Sequence, residues 1–517
     1  MNIAETLLSK GVDDAPAVLH GSLLVTYGEL RRRTDHCARL LLGLGAGKGD
    51  RVGIVAENGI FFVTAYLGII RAGLVAVPLQ TDATLPWLSQ VVREAGSGLV
   101  LASRRQAVRW AHEAQRLGVR LISEATLDEP VPDRGVVWPD VEPTRDLAAI
   151  LYTSGSTGAP KGVMVTHGNI AANTRDIIGY LDLRPDDRAM VVLPFHYCYG
   201  LSLLHTHVAA GSSLVINNQF QYPEQVLREM QSRECTGLAG VPSTFQILLR
   251  RSRFRQMRFP VLRWLQQAGG KLPNPYIQEI LEAFPGVRFF TMYGQTEATA
   301  RLSYLPPERL KDKLGSIGRG LPSTRLEVLR PDGSAVAPGS NEVGEIVASG
   351  DNITAGYWND AAETAQYFRE NRLYTGDLAR VDADGFIYVV DRERDMIKCG
   401  GNRVAAKEVE EVIAELSEVV EVAVTGVPHE VLGEAIAAFV VPVRGVALEP
   451  AQVQGHCARR LPGFKIPERV TFLPNLPHNS SGKVAKQELR KLALARHVPP
   501  GPPVAADTQA PLPTSAG

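Results

Sequence analysis

The chain has 517 residues, more than one ordinary hydrophobic core accommodates, so two or more domains are expected. Hydrophobic residues make up 45% and charged residues 21%, a balance typical of globular enzymes, and Lys+Arg and Asp+Glu match at 55 each. No global charge draws the chain to nucleic acid or to a membrane surface, so any anion it binds must be held by local groups.

In chain order, the N-terminus MNIAETLLSK lacks the basic start and apolar core of a secretory signal. Val52–Glu57 and Leu74–Leu79 are short, apolar, β-branched runs that read as parallel strands buried on both faces. The apolar stretch Ile60–Ile70 between them is far shorter than the ~20 residues of a membrane span and ends at Gly73, as a crossover helix would. The rhythm continues through AAILYTS, AMVVLPF, SSLVINN and VRFFTMYG, and predicts a large doubly wound α/β domain. From about Leu314 the pattern turns to short strands and turns, Pro331-Asp332-Gly333 among them, a β-rich subdomain of the same unit. The charged run Asp391-Arg392-Glu393-Arg394-Asp395 reads either as a hinge or as a solvated turn. Beyond it KEVEEVIAEL has helical spacing, and VVEVAVTGV and AIAAFVVPV read as strands of a small α+β domain. The Pro- and Ala-rich end is expected to be disordered. The expected division is 1–391, a hinge at 392–395, 396–495 and a tail at 496–517.

The five cysteines, Cys37, Cys198, Cys235, Cys399 and Cys457, are odd in number and lack metal-ligand spacing, which reads as a reduced, cytoplasmic protein.

Four segments carry chemistry. Tyr152–Gly162, YTSGSTGAPKG, follows an apolar run, and its glycines and hydroxyl residues can converge N–H and O–H groups on phosphate oxygens, with Lys161 adding a charge. It is not a Walker A loop, because Gly162 stands where Ser or Thr would follow the Lys; a flexible Gly/Ser turn is the plain alternative. In TMYGQTEAT, Tyr293 offers a flat face to a purine, Thr296 a hydroxyl to a phosphoryl oxygen and Glu297 a hard ligand for Mg²⁺. Each is also a common loop residue. In YTGDLAR, Asp377 is either an acceptor for ribose hydroxyls or an Asp in a turn. In PHNSSGKVAKQEL, Lys483 is either an ammonium on a mobile loop or a solvent-facing side chain.

In this order and at these separations, the four segments resemble the adenylate-forming superfamily of acyl-CoA synthetases, peptide-synthetase adenylation domains and luciferases. The resemblance runs from GDRVGIVAENG through LAGVPSTF to the terminal Lys loop, nearly the whole chain. It implies that a carboxylic acid reacts with ATP to give an acyl adenylate and pyrophosphate, and that the acyl group then passes to an acceptor. By the resemblance the catalytic set is Lys483, Glu297, Thr296 and His196, with Mg²⁺ on Glu297. ATP contacts would come from Thr153, Ser154, Gly155, Ser156, Thr157, Gly158 and Lys161 at the phosphates, and from Asp377 and Arg392 at the ribose. Tyr293, Gly269 and Gly270 would frame the adenine. The small domain would swing about Arg394, where relatives more often carry Asp or Lys, and Gly400 and Gly401 would line the channel for a pantetheine arm.

The acid's pocket would be built from His196, Tyr197, Cys198, Gly200, Met292, Gly294 and Thr299. Amino-acid-activating relatives usually place an Asp in the segment that reads PFHYCYGLS here, so an acid with an apolar or aromatic body is expected rather than an α-amino acid. Tyr197 and Tyr199 are equally placed to pack the core. Coenzyme A leads as acceptor; a carrier-protein phosphopantetheine or an amine are the others. A luciferase-type oxygenase would share these motifs, and a non-catalytic binding protein would be expected to have lost them.

Overall fold

In the computed structural model residues 1–130, 136–154, 160–392, 395–479 and 482–495 are described. Gly155, Ser156, Thr157, Gly158, Arg394 and the 496–517 tail therefore lie outside the described residues.

Arg51–Val55 (β1) and Val75–Leu79 (β2) pair in parallel, joined by the helix Ile60–Arg71 (α1). Residues Phe61–Ile70 of α1 are all buried because the helix touches strands of two different sheets. A helix covered on every side has no polar face to keep, and this accounts for the unbroken apolar run. Among the described residues no helix is long and apolar enough to cross a membrane.

Within the expected large α/β domain the strands form two separate sheets. β1 and β2 belong to a six-stranded sheet whose other edge is formed by Leu147–Ser154 (β3) and Pro160–Thr166 (β4). An eight-stranded sheet ends near Arg288–Tyr293 (β5). The helices His167–Leu181 (α2) and Cys198–Ala210 (α3) pack with α1 in one shared core. A third, antiparallel five-stranded sheet is the expected β-rich part and contains Arg372–Val381 (β6) and Ile387–Arg392 (β7).

Two local expectations change. The segment read as one long glycine-rich loop is mostly an antiparallel hairpin, with Tyr152 opposite Gly162, Thr153 opposite Lys161 and Ser154 opposite Pro160. The charged run begins inside β7, where Asp391 is only 1% exposed, so its first residue is no solvated turn.

The chain then enters a separate five-stranded sheet, starting with Ile397–Cys399 (β8) and Asn402–Val404 (β9). Its long strands Val419–His429 and Gly433–Pro442 and the helix Ala406–Ile413 fall where the sequence placed them. Tyr276 of the large domain donates its hydroxyl to the carbonyls of Val419 and Val420 at 3.0 and 2.9 Å. Lys271 pairs with Glu411 at 2.6 Å. These contacts dock the small domain so that the loop before Lys486–Ala495 (α4) meets the large one.

Candidate active site

Lys483 reaches the large domain from a loop the small domain holds in shape. Gly482 has φ 77°, a conformation only glycine adopts easily. The Asn479 side chain accepts from the Lys483 amide at 2.9 Å. Ser243 of the large domain donates its hydroxyl to the Gly482 carbonyl at 2.8 Å. The ammonium consequently stands 5.1 Å from the centre of the Tyr197 ring. Gly269, at φ 89°, makes this approach possible, since a Cβ there would lie 3.2 Å from the Lys483 Cε. Burial pushes the Lys483 pKa down, Arg392 adds to the effect, and Cys198, Asp377 and Glu297 oppose it. A partly desolvated ammonium placed in this way favours an incoming anion.

Asp377 and Arg392 lie opposite each other in the β6–β7 register. Arg392 Nε donates to one carboxylate oxygen at 3.0 Å, and the Tyr293 hydroxyl donates to the other at 2.7 Å. Asp377 is thus a strand residue, 4% exposed, and not a turn Asp. Its charge raises the Arg392 pKa. Each carboxylate oxygen keeps a lone pair for a further donor such as a ribose hydroxyl.

Thr296 and Glu297 sit on the 3₁₀ turn Thr296–Ala298 that follows β5. Tyr357 donates its hydroxyl to Glu297 Oε1 at 2.8 Å, and Thr354 donates its amide and hydroxyl to the Glu297 carbonyl at 3.0 and 2.9 Å. The Thr296 hydroxyl donates to Cys198 Sγ at 3.3 Å, and burial keeps that thiol neutral by raising its pKa. The turn closes through Thr299, a β-branched residue at φ 66° and ψ −53°, whose hydroxyl donates to the Asn352 carbonyl at 2.7 Å. Such backbone costs about 1–3 kcal/mol and persists only where its surroundings impose it. Gly294 is needed beside it, because a Cβ there would meet the Ala300 carbonyl oxygen at 1.9 Å. Gly200 likewise lets α3 start against the Pro194 carbonyl, 2.1 Å from where a Cβ would be.

His196 Nε2 is buried without a partner among the described residues. Burial pushes the imidazole pKa down to about 4, so it is neutral near pH 7 and leaves one hydrogen-bonding position open. Lys161 lies on β4, ion-paired with Glu363 and 5.7 Å from the Tyr357 ring centre.

Among the described residues, Tyr293, Asp377 and Arg392 are joined by hydrogen bonds and Lys483 stands against Gly269 and Tyr197, while three expected positions are placed otherwise. Met292 is buried and accepts the Tyr180 hydroxyl at 3.0 Å, as a core residue does. Gly270 takes part through its carbonyl, which accepts from Gln267 at 2.7 Å. Gly400 and Gly401 occupy the exposed turn between β8 and β9 and are not among the residues around Lys483. Tyr357, Ser243 and Glu363 were not legible in the sequence; each is an ordinary polar residue given its place by a contact distant in the chain.

The family model for AMP-binding enzymes matches residues 9–358, and the model for their C-terminal domain matches residues 408–483. The chain belongs to the AMP-binding enzyme family. It is 34% identical to a feruloyl-CoA synthase of Amycolatopsis over 481 residues, which cover 92% of this chain and 96% of that one. The o-succinylbenzoate CoA synthetase of Bacillus subtilis in complex with its acyl-adenylate intermediate superposes with a TM-score of 0.83 at 28% identity, covering 95% and 98% of the two chains. The same synthetase with ATP and magnesium ion superposes at 0.82 and 28%, covering 94% and 99%. The chain is an AMP-forming ligase that uses ATP and Mg²⁺. Glu297, a single carboxylate, fits Mg²⁺, which proteins commonly hold through one or two carboxylates together with substrate phosphates.

Proposed function

We propose that this acid–thiol ligase activates an acid with an aromatic or apolar body and transfers the acyl group to coenzyme A. The observation that carries the reading is the Lys483 ammonium, partly desolvated, beside Tyr197 and within electrostatic reach of Asp377 and Arg392. The coenzyme A specificity of the feruloyl-CoA synthase, over nearly the full length of both chains, supports the acceptor.

Two anions, the acid's carboxylate and the α-phosphate of ATP, must approach each other, so charge must be neutralised where they meet. Lys483 bridges carboxylate and phosphate oxygens. Asp377 and Arg392 fix the ribose, and Tyr293, held by its hydrogen bond to Asp377, borders the base with Gly269 and Gly270. His196 donates to a substrate or phosphate oxygen through its unpartnered nitrogen. Thr153 and Lys161 lead out of and back into the phosphate-binding segment. Glu297 would hold Mg²⁺, which would supply neutralisation of the phosphate charge. Tyr357 orients that carboxylate.

The small domain, 396–495, then turns about 392–395, withdraws Lys483 and presents the Gly400–Gly401 turn to the acceptor. The five cysteines are all free and buried, in keeping with a cytoplasmic setting. A carrier-protein arm offers the same thiol as coenzyme A, and the assay separates the two.

The test is ATP–pyrophosphate exchange without acceptor across fatty, aryl, alicyclic and amino acids, followed by thioester formation with coenzyme A or a loaded carrier. Exchange with aryl or apolar acids and a coenzyme A thioester is the expected result. Exchange confined to amino acids would overturn the acid assignment, and thioester formation on the carrier alone would overturn the acceptor.

A further inference from the structure

A segment far along the chain pairs with β4. The Ala355 amide donates to the Met164 carbonyl at 3.1 Å, the Met164 amide donates to the Gly356 carbonyl at 2.9 Å, and the Trp358 amide donates to the Gly162 carbonyl at 2.7 Å. This pairing sets Tyr357 beside Lys161 and brings up the short helix Ala361–Tyr367 that follows. Side chains fix the connection. The Thr364 hydroxyl accepts from the Tyr357 amide at 2.9 Å and donates to the Asp360 carbonyl at 2.7 Å, while the Asp360 carboxylate accepts from the Glu363 amide at 2.9 Å. Glu363 thereby reaches Lys161, and the two form an ion pair whose side chains are 20% and 14% exposed. The ammonium lies 5.7 and 5.9 Å from the Tyr357 and Tyr367 ring centres. The Tyr357 hydroxyl donates to Glu297 at 2.8 Å, so one tyrosine touches both the lysine and the carboxylate proposed for Mg²⁺.

We infer that Glu363 is a positioning residue that competes with the polyphosphate for Lys161: it holds the ammonium when the phosphate site is free, yields it to ATP, and takes it back as pyrophosphate leaves. The inference rests on the ligase reading above, in which Lys161 serves the phosphates. Three considerations point to competition. A carboxylate largely withdrawn from water attracts an adjacent ammonium strongly, so the charge of Lys161 is already answered. ATP and pyrophosphate bring several negative charges to the same ammonium, and these repel a carboxylate in contact with it. Lys161 can carry its charge from one anion to the other on a flexible stem, whereas Glu363 sits on a helix whose first turn is tied to Asp360 and Tyr357. A lysine without this alternative would bind ATP and pyrophosphate tightly alike, which holds the product without speeding the chemistry. Glu363 weakens both and so favours release.

The experiment titrates pyrophosphate with Mg²⁺, ATP with Mg²⁺, and AMP into the full-length enzyme, Glu363→Gln, Lys161→Met and the double variant by calorimetry. Glu363→Gln keeps the shape of the side chain and removes its charge. It should bind pyrophosphate and ATP about 10-fold more tightly than wild type, the scale of one partly buried charge pair. AMP, which lacks the β- and γ-phosphates, should change by less than about twofold. In the Lys161→Met background the gain should disappear, which ties it to the lysine rather than to a less negative site. Weaker ATP binding in Glu363→Gln with AMP unchanged would mean that Glu363 orients Lys161 toward phosphate, and would overturn the inference alone. So would equal affinities in wild type and variant, or a gain that persists without Lys161. If Glu363→Gln loses AMP as well, as a damaged fold would, Glu363→Ala, a good helix former without the charge, carries the test, and loss of all three ligands there too would overturn the inference. Failure of the wild type to bind any of the three would overturn the ligase reading, and the inference with it.

Discussion

Asp377 and Arg392, fifteen residues apart in sequence, face each other across β6 and β7 with Nε and Oδ1 3.0 Å apart. The pair joins the β-rich sheet to the point where the chain leaves for the small domain, and Tyr293 ties it to the eight-stranded sheet through the second carboxylate oxygen. The proposed ribose position and the proposed start of the hinge thus fall on the same two strands.

Replacing Asp377 with Asn removes the charge that Arg392 faces and one acceptor for a ribose hydroxyl. We expect kcat/KM for ATP to fall about 100-fold, near 3 kcal/mol, with the acid's KM changed much less. Initial rates of exchange at varied ATP read this directly. An unchanged ATP dependence would remove Asp377 from the nucleotide site.

Lys483→Ala should lower adenylate formation by roughly 10²–10³, about 3–4 kcal/mol, the cost of losing one preorganised contact. Thioester formation from presynthesised adenylate should stay within a few-fold of wild type, because that step is proposed to follow withdrawal of the Lys loop. Equal loss of both half-reactions, measured by rapid quench, would refute the division of labour between the domains.

The lowered Lys483 pKa should set the alkaline limit of the first half-reaction. The ammonium is present at low pH and is lost as pH rises through that lowered pKa. Adenylation should therefore decline below the ordinary lysine range near about 10.4. Lys483→Arg, which stays charged, should move the decline upward even where its maximal rate is lower. A decline at the same pH in both forms would assign it to another group.

His167, His196, His205 and His207 are all depressed by burial, to about 4, 4, 3 and 4. In the unfolded chain each titrates near about 6.5. As pH falls below that value the unfolded state takes up protons that the folded state refuses, so stability is lost progressively toward pH 4 and unaffected above about 7. Melting curves at stepped pH test this, and a Tm that stays flat from pH 7 to 4.5 would contradict it.

Much of the fold was legible because its signals are local. Short β-branched runs around an apolar helix dictated β1, α1 and β2, since a strand covered on both faces has no polar alternation to show. The hairpin β3–β4 was missed because the turn residues within YTSGSTGAPKG read alike whether the flanking segments pair or splay. The division into two sheets was also hidden. Strand order is decided by contacts between distant segments, such as β1 with Leu99–Ala102, and individual runs do not encode their neighbours.

The sequence by itself determined the reaction class, because the segments around Thr296 and Glu297, Asp377 and Lys483, taken together and in order, resemble one family. Tertiary structure alone decided how those residues meet. Lys483 enters between Tyr197 and Gly269 only because Tyr276, Lys271 and Ser243 dock the small domain. Tyr357 becomes the partner of Glu297 across sixty residues. Tyr66 of α1 meets His205 of α3 in a buried 2.8 Å hydrogen bond across 139 residues, a contact that no local pattern records. Motifs carry chemistry that one short segment can supply, whereas specificity comes from the volume left between segments, which only the folded chain defines.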